Sequence, residues 1–345
     1  VTLLLLACAA PDAVDSAPSA GDSAADTTPI HTIDDTAVTE TSGTTTPPDD
    51  TALTDSGTTE TDSFPPPALD DCITDGTPGH HVYTCNDHVF DLELPAACLD
   101  APCGLILDVH GMTMDATMQD ANTGLRALGT AHGYVVVQPT APRDPPFTYW
   151  DDGDDDAVWD FFERTVAAFH LDPARLHVTG FSQGGSMSWR LLCAHSDVLA
   201  SVAPAAGCDV PLVPECAFED GEAPAHPIPT LYMHGTEDNI VAFDCAPERI
   251  EAAVATWGLG TETVVSQDGE HLWRRWTGAT TLEFVQHDYR ARSDLLGGHC
   301  FPGSEDLDGG ADGQLFGFGC DGTTAFDWGE AVMAFFAAHP KADAR

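Results

Sequence analysis

The residues best suited to chemistry in this chain lie in three short stretches. The first is Gly180-Phe181-Ser182-Gln183-Gly184. Leu176-His177-Val178-Thr179 before it reads as a buried strand, and the run from Gly185 to Leu192 after it reads as a helix. A serine on a sharp strand-to-helix turn is held where its hydroxyl can attack, and a glycine on either side keeps side chains out of the crowded turn. The helix start supplies amide donors and a positive field beside that hydroxyl. The second stretch is His234-Gly235-Thr236-Glu237-Asp238, which follows an apolar run at 229–234. Asp238 is the candidate acid, with Glu237 as its neighbour and competitor. The third is Leu296-Gly297-Gly298-His299, in a glycine-rich loop beyond the strand-like 281–285. His299 is the candidate base, preferred over His271, His287 and His339. A serine, an acid and a histidine in that chain order could activate the hydroxyl and orient the base. A fourth stretch, His110-Gly111-Met112, ends another buried run. Its amides could face a developing oxyanion together with that of Gln183; Met112 is the first choice of loop donor, and Thr113 stays open as the alternative.

These groups need a scaffold that delivers them to one edge. Apolar runs at 104–109, 134–138, 176–179, 199–204, 229–234 and 281–285 read as short strands. Helical patterns at 118–132, 155–169, 185–192, 250–257 and 328–339 alternate with them. Two earlier runs, 81–84 and 88–94, read as a hairpin. The alternation predicts an α/β fold with a mainly parallel sheet flanked by helices, spanning residues 71–345. In such a sheet, ligands sit beyond the C-terminal ends of the strands, where all four stretches fall. Tyr149 and Trp150 follow the 134–138 strand and could line a substrate pocket. Asp306 to Gly313 has closely spaced oxygen ligands but lacks the pattern of a calcium loop, and reads as an acidic turn within the 303–320 segment.

Composition narrows the partners. The chain has 345 residues, 12 Lys plus Arg against 56 Asp plus Glu, and a formal charge of -44. No Lys or Arg precedes Arg126, and Lys341 is the only lysine. Such a surface repels nucleic acid and anionic membranes. Residues 1–8, ending Leu5-Leu6-Ala7-Cys8, resemble a bacterial lipoprotein signal whose Cys8 would carry a lipid anchor, although the usual basic start is missing. Residues 9–70 are rich in Asp, Thr, Ser, Ala and Pro and read as a disordered acidic linker. Ten further cysteines follow, an even set that predicts up to five disulfides and an exported, oxidising location. Cys72/Cys85, Cys98/Cys103 and Cys300/Cys320 are candidate pairs by proximity in sequence. The cysteines lack zinc spacing, so neither a metal nor another cofactor is expected.

The segment from about Cys103 to His339 resembles the secreted polyhydroxybutyrate depolymerase and feruloyl esterase group of α/β-hydrolases. Leu107-Asp108-Val109-His110-Gly111, Asp155-Asp156, Asp172-Pro173-Ala174-Arg175 through Gly185, His234 to Asp238 and Gly297 to Gly303 carry the resemblance. Phe301 stands where that group usually has tryptophan. The resemblance implies a serine esterase with Ser182 as nucleophile, Asp238 as orienting acid and His299 as general base. Its substrates would be polyhydroxyalkanoate-like, feruloyl or acetyl-xylan esters, possibly polymeric, with no obligate protein partner. The competing readings are a serine peptidase of the same fold and a non-catalytic surface-binding lipoprotein.

Overall fold

The computed structural model describes residues 64–143, 147–151, 153–208, 216, 218, 223–306 and 316–341. The lipoprotein-like segment with Cys8, nearly all of the 9–70 linker, and positions 307–315 of the acidic turn lie outside the described residues.

Ten strands form one sheet. They are β1 (Gly79–Cys85), β2 (His88–Leu94), β3 (Gly104–Val109), β4 (Tyr134–Thr140), β5 (Leu176–Phe181), β6 (Ser201–Ala205), β7 (Thr230–Gly235), β8 (Thr263–Gln267), β9 (His271–Thr277) and β10 (Thr281–His287). Their spatial order is β1-β2-β4-β3-β5-β6-β7-β10-β9-β8. Every pairing from β4 through β3, β5, β6 and β7 to β10 is parallel, and the strands beyond them on both sides pair antiparallel. The central strands are buried and largely apolar because both faces are covered. Alternation along each strand sends side chains to two separate cores. Leu105, Leu107, Val135 and Val137 join one core with Phe161, Phe162, Trp189 and Ile250. Ile106, Tyr134 and Val136 join the other with Met118, Leu125, Val332 and Phe336.

Six α-helices supply those partners: α1 (Ala116–Thr123), α2 (Leu125–His132), α3 (Asp154–Phe169), α4 (Gln183–His195), α5 (Cys245–Trp257) and α6 (Trp328–Ala338). The single helix expected over 118–132 is two. Gly124 adopts φ 60° between them, a left-handed conformation that ends α1 and starts α2. The β8–β9 hairpin was not expected. All five residues of β8 are exposed, and β9 carries Arg274 and Arg275, so neither has the apolar alternation by which strands are recognised.

Five disulfides are present: Cys72–Cys85, Cys98–Cys103, Cys193–Cys216, Cys208–Cys245 and Cys300–Cys320. They include the three pairs expected from proximity. The other two link cysteines 23 and 37 residues apart, and only folding brings those together. Among the described residues, no helix is long and apolar enough to cross a membrane.

Candidate active site

Ser182 sits between β5 and α4 with φ 55° and ψ -117°, a conformation that non-glycine residues rarely hold. Its own amide donates to Ala205 O at 2.8 Å, and its carbonyl accepts from Ser186 N at 2.9 Å, so both flanks of the turn are fixed. The glycine spacing has a direct steric cause. A Cβ on Gly180 would lie 2.5 Å from Gly184 O, and one on Gly184 would lie 2.1 Å from Val109 O. The turn closes this tightly only without those side chains.

Asp238 follows β7, and His299 follows β10. Their loops are stitched together by a bridge between Asp238 and Gly297, and by bonds from Gly298 N to Glu237 O (2.7 Å) and Asn239 N to Leu296 O (3.1 Å). His299 Nδ1 lies 2.6 Å from Asp238 Oδ2. The other carboxylate oxygen accepts from the amides of Ile240 and Val241, each at 2.8 Å. Burial alone raises the Asp238 carboxyl. The charge of His299 and hydrogen bonds from His234 and His299 outweigh it, and hold the group well below the usual carboxylate range. An ionised Asp238 takes its hydrogen from His299 Nδ1, which leaves the lone pair on Nε2. The His299 ring packs 4.6 Å from the Phe181 ring, next to Ser182 in sequence, and Phe301 stacks on the same Phe181 at 4.0 Å. Phe301 thus buries its ring beneath the histidine loop.

Glu237 points elsewhere and pairs with Arg290 on the surface. His271 lies at the start of β9 beside Asp268, His339 caps α6, and His287 is buried at the end of β10. Of these four histidines, His299 is the one bonded to Asp238, through the loop that follows β10.

The loop after β3 is built around His110. The ring is fully buried; Nδ1 donates to Gly111 O at 2.7 Å, and Nε2 accepts from Ala141 N at 3.1 Å. Burial pushes its pKa down to about 4, so it is neutral and serves the loop backbone. The Thr113 amide donates to Thr148 O at 2.7 Å. That bond commits the Thr113 amide within the loop. Gln183, first residue of α4, has no helical carbonyl behind it to accept from its amide.

Trp150 is almost fully buried. Its Nε1 donates to His110 O at 2.8 Å, and its backbone is gripped by the Gln183 side chain. It thereby connects the loop after β4 to both candidate oxyanion donors. Sequence reasoning placed Trp150 near the site but missed this contact, which spans 33 residues. Tyr149 is partly exposed, with the Arg143 guanidinium 4.9 Å from its ring centre. Met112, Phe147, Tyr149, Ile240 and Leu295 are all exposed apolar side chains, and all follow the C-terminal ends of strands.

Comparison with known proteins gives the same frame. An acetyl xylan esterase from Aspergillus awamori superposes with a TM-score of 0.51, covering 61% of this chain and 93% of that one at 13% identity. The fold is that of the α/β-hydrolases. In sequence, the chain is 28% identical over 142 residues to a bifunctional acetylxylan esterase/xylanase from Neocallimastix patriciarum, a match covering 40% of this chain and 20% of that protein. It is 27% identical over 152 residues to feruloyl esterase B from Piromyces equi, covering 42% and 28%. The chain therefore spans less than a third of the length of these two relatives. No family model matches it.

Proposed function

We propose that this chain is a serine esterase that hydrolyses carboxylic esters through an acyl-enzyme. The observation that carries the reading is the 2.6 Å bond between His299 Nδ1 and Asp238 Oδ2, in the same fold as a serine held in a strained elbow. His299 Nε2 takes the Ser182 proton as Oγ attacks the ester carbonyl. The carbonyl electrons move to oxygen, which the Met112 and Gln183 amides receive. The intermediate collapses, and the alcohol leaves with the proton from His299. Water, activated by the same imidazole, then releases the acid and frees Ser182. Asp238 keeps the imidazole oriented and stabilises its charged form.

The substrate class we favour is an ester carried on a polymer, with feruloyl, acetyl-xylan and polyhydroxyalkanoate-like esters as candidates. The esterase names among the relatives support it, as do the exposed apolar side chains around the strand ends, which suit an extended, uncharged surface. Five disulfides support an exported enzyme. Attachment to a bacterial membrane through Cys8 belongs to the same proposal, and mass spectrometry of the native N-terminal peptide tests it.

The test of activity is a panel of p-nitrophenyl butyrate, methyl ferulate, acetylated xylan and amorphous polyhydroxybutyrate. Turnover of the small ester and of at least one polymer-borne ester is expected. No turnover of any of the four would overturn the reading.

A further inference from the structure

Asp238 is held by two histidines. His234 Nε2 lies 3.3 Å from the same Oδ2 that His299 Nδ1 approaches to 2.6 Å. The His234 side chain is completely buried. Its Nε2 also lies 3.0 Å from Val241 O. Both neighbours of Nε2 are acceptors, so this nitrogen carries a hydrogen whatever the state of Nδ1. On the other side of the ring, Nδ1 is 2.8 Å from the Tyr232 hydroxyl, whose single hydrogen is shared between Nδ1 and Gly207 O, 2.9 Å away. Cys208 Sγ, in disulfide with Cys245, lies 3.1 Å from that hydroxyl. The ring is thus fixed at both nitrogens and backed by a covalent brace between the loop after β6 and the start of α5.

We propose that His234 is a positioning residue for the catalytic group, its Nε2–H sharing Asp238 Oδ2 with His299 and drawing charge away from the oxygen that serves the base. The inference rests on the esterase reading above. Tyr232 is the second member of this support, because its hydroxyl holds the ring that carries the donor. The arrangement sets how strongly Asp238 stabilises the His299 imidazolium. With the His234 donor removed, more negative charge remains on Oδ2 and the carboxylate loses a contact that fixes its orientation, so the pair with His299 is altered in charge and held less firmly. The other titratable groups packed here are few. His287, from β10, is kept neutral by burial and by the proximity of His234, its pKa pushed down to about 3. Glu237 and Arg290 pair with each other on the outer rim.

The test compares wild type with His234→Leu, His234→Gln and Tyr232→Phe, using p-nitrophenyl butyrate across pH and fluorophosphonate labelling. Loss of the contact that orients the Asp238 carboxylate, and through it the base, predicts a kcat loss of about 10- to 100-fold for His234→Leu, with KM nearly unchanged. The acid limb of kcat/KM moves to higher pH. His234→Gln, which restores an N–H near the Nε2 position, recovers most of the rate and returns the limb. Tyr232→Phe gives a smaller change in the same direction, and decides the matter if His234→Leu fails to fold by circular dichroism. Wild-type kcat and limb in the Leu variant, or equal loss in Leu and Gln variants with an unmoved limb, overturns the proposal. If wild type itself neither turns over nor labels, the esterase reading fails instead.

Discussion

Gln183 and Trp150 hold each other by two hydrogen bonds. Trp150 N donates to Gln183 Oε1 at 2.9 Å, and Gln183 Nε2 donates to Trp150 O at 2.8 Å. A side chain next to the nucleophile therefore completes the backbone of a loop from a different strand. Through Trp150 Nε1 and His110 O the same clamp reaches the Met112 loop. The two proposed oxyanion amides are positioned by one connected group of side chains.

Gln183→Ala keeps the Gln183 amide but removes the clamp. We expect kcat to fall by about 10- to 100-fold, since small displacements of catalytic groups cost that much, with KM changing far less. Trp150→Phe leaves His110 O without its buried donor and should cost about 1–3 kcal/mol of stability. Steady-state kinetics and denaturant melts check the pair. Unchanged kcat in Gln183→Ala would contradict the positional role.

Asp108 gives a pH dependence. It is fully buried and accepts only from neutral donors: Gln119 Nε2 (2.6 Å), Gln138 Nε2 (2.8 Å) and Thr123 Oγ1 (2.9 Å). Burial, partly opposed by these bonds, raises its pKa to about 6. The folded state thus holds a proton that the unfolded state has released, from the ordinary carboxylate range up to pH about 6. Stability from this group falls as pH rises through that window, and the loss is complete above it. Asp108→Asn removes the dependence. Gln119 Oε1 has no partner among the described residues, so a flipped Gln119 amide can accept from the new Asn. Thermal melts at pH 4.5 and 7.5 should show the variant gaining on wild type at the higher pH. A gap that widens against the variant would contradict this account.

The disulfides should separate stability from activity. Cys300 adjoins His299, and its bond to Cys320 fixes the segment where Phe301 bridges Gly319. Cys72–Cys85 instead braces the edge strand β1. Replacing either pair with serines should cost about 3 kcal/mol by loop entropy. Only the Cys300/Cys320 double variant should also lose kcat. Equal kcat in both double variants at a temperature where each is folded would argue against the coupling.

What could be read from the sequence follows from how local each constraint is. The elbow is written in adjacent residues because sterics forbid side chains at Gly180 and Gly184, so its pattern survives without the fold. The central strands are readable because burial on both faces makes them largely apolar. Asp238 and His299 stood out as candidates from their place after such strands, while the preference for Asp238 over Glu237 came from the family resemblance. The β8–β9 hairpin was not readable, because an exposed edge leaves no apolar period. The partner of the Thr113 amide is Thr148 O, 35 positions away, which no local pattern signals. The Gln183–Trp150 clamp and the His234 contact are likewise tertiary, and no spacing rule signals them.

The central claim is that Ser182 is a nucleophile activated by His299. Peptide mapping after reaction with a fluorophosphonate tests it most directly, comparing wild type with folded Ser182→Ala and His299→Ala proteins. The account predicts a stoichiometric adduct on Ser182 in wild type, none at that position in Ser182→Ala, and strongly slowed labelling in His299→Ala. An unlabelled Ser182 in wild type, or labelling at an undiminished rate in His299→Ala, would contradict it.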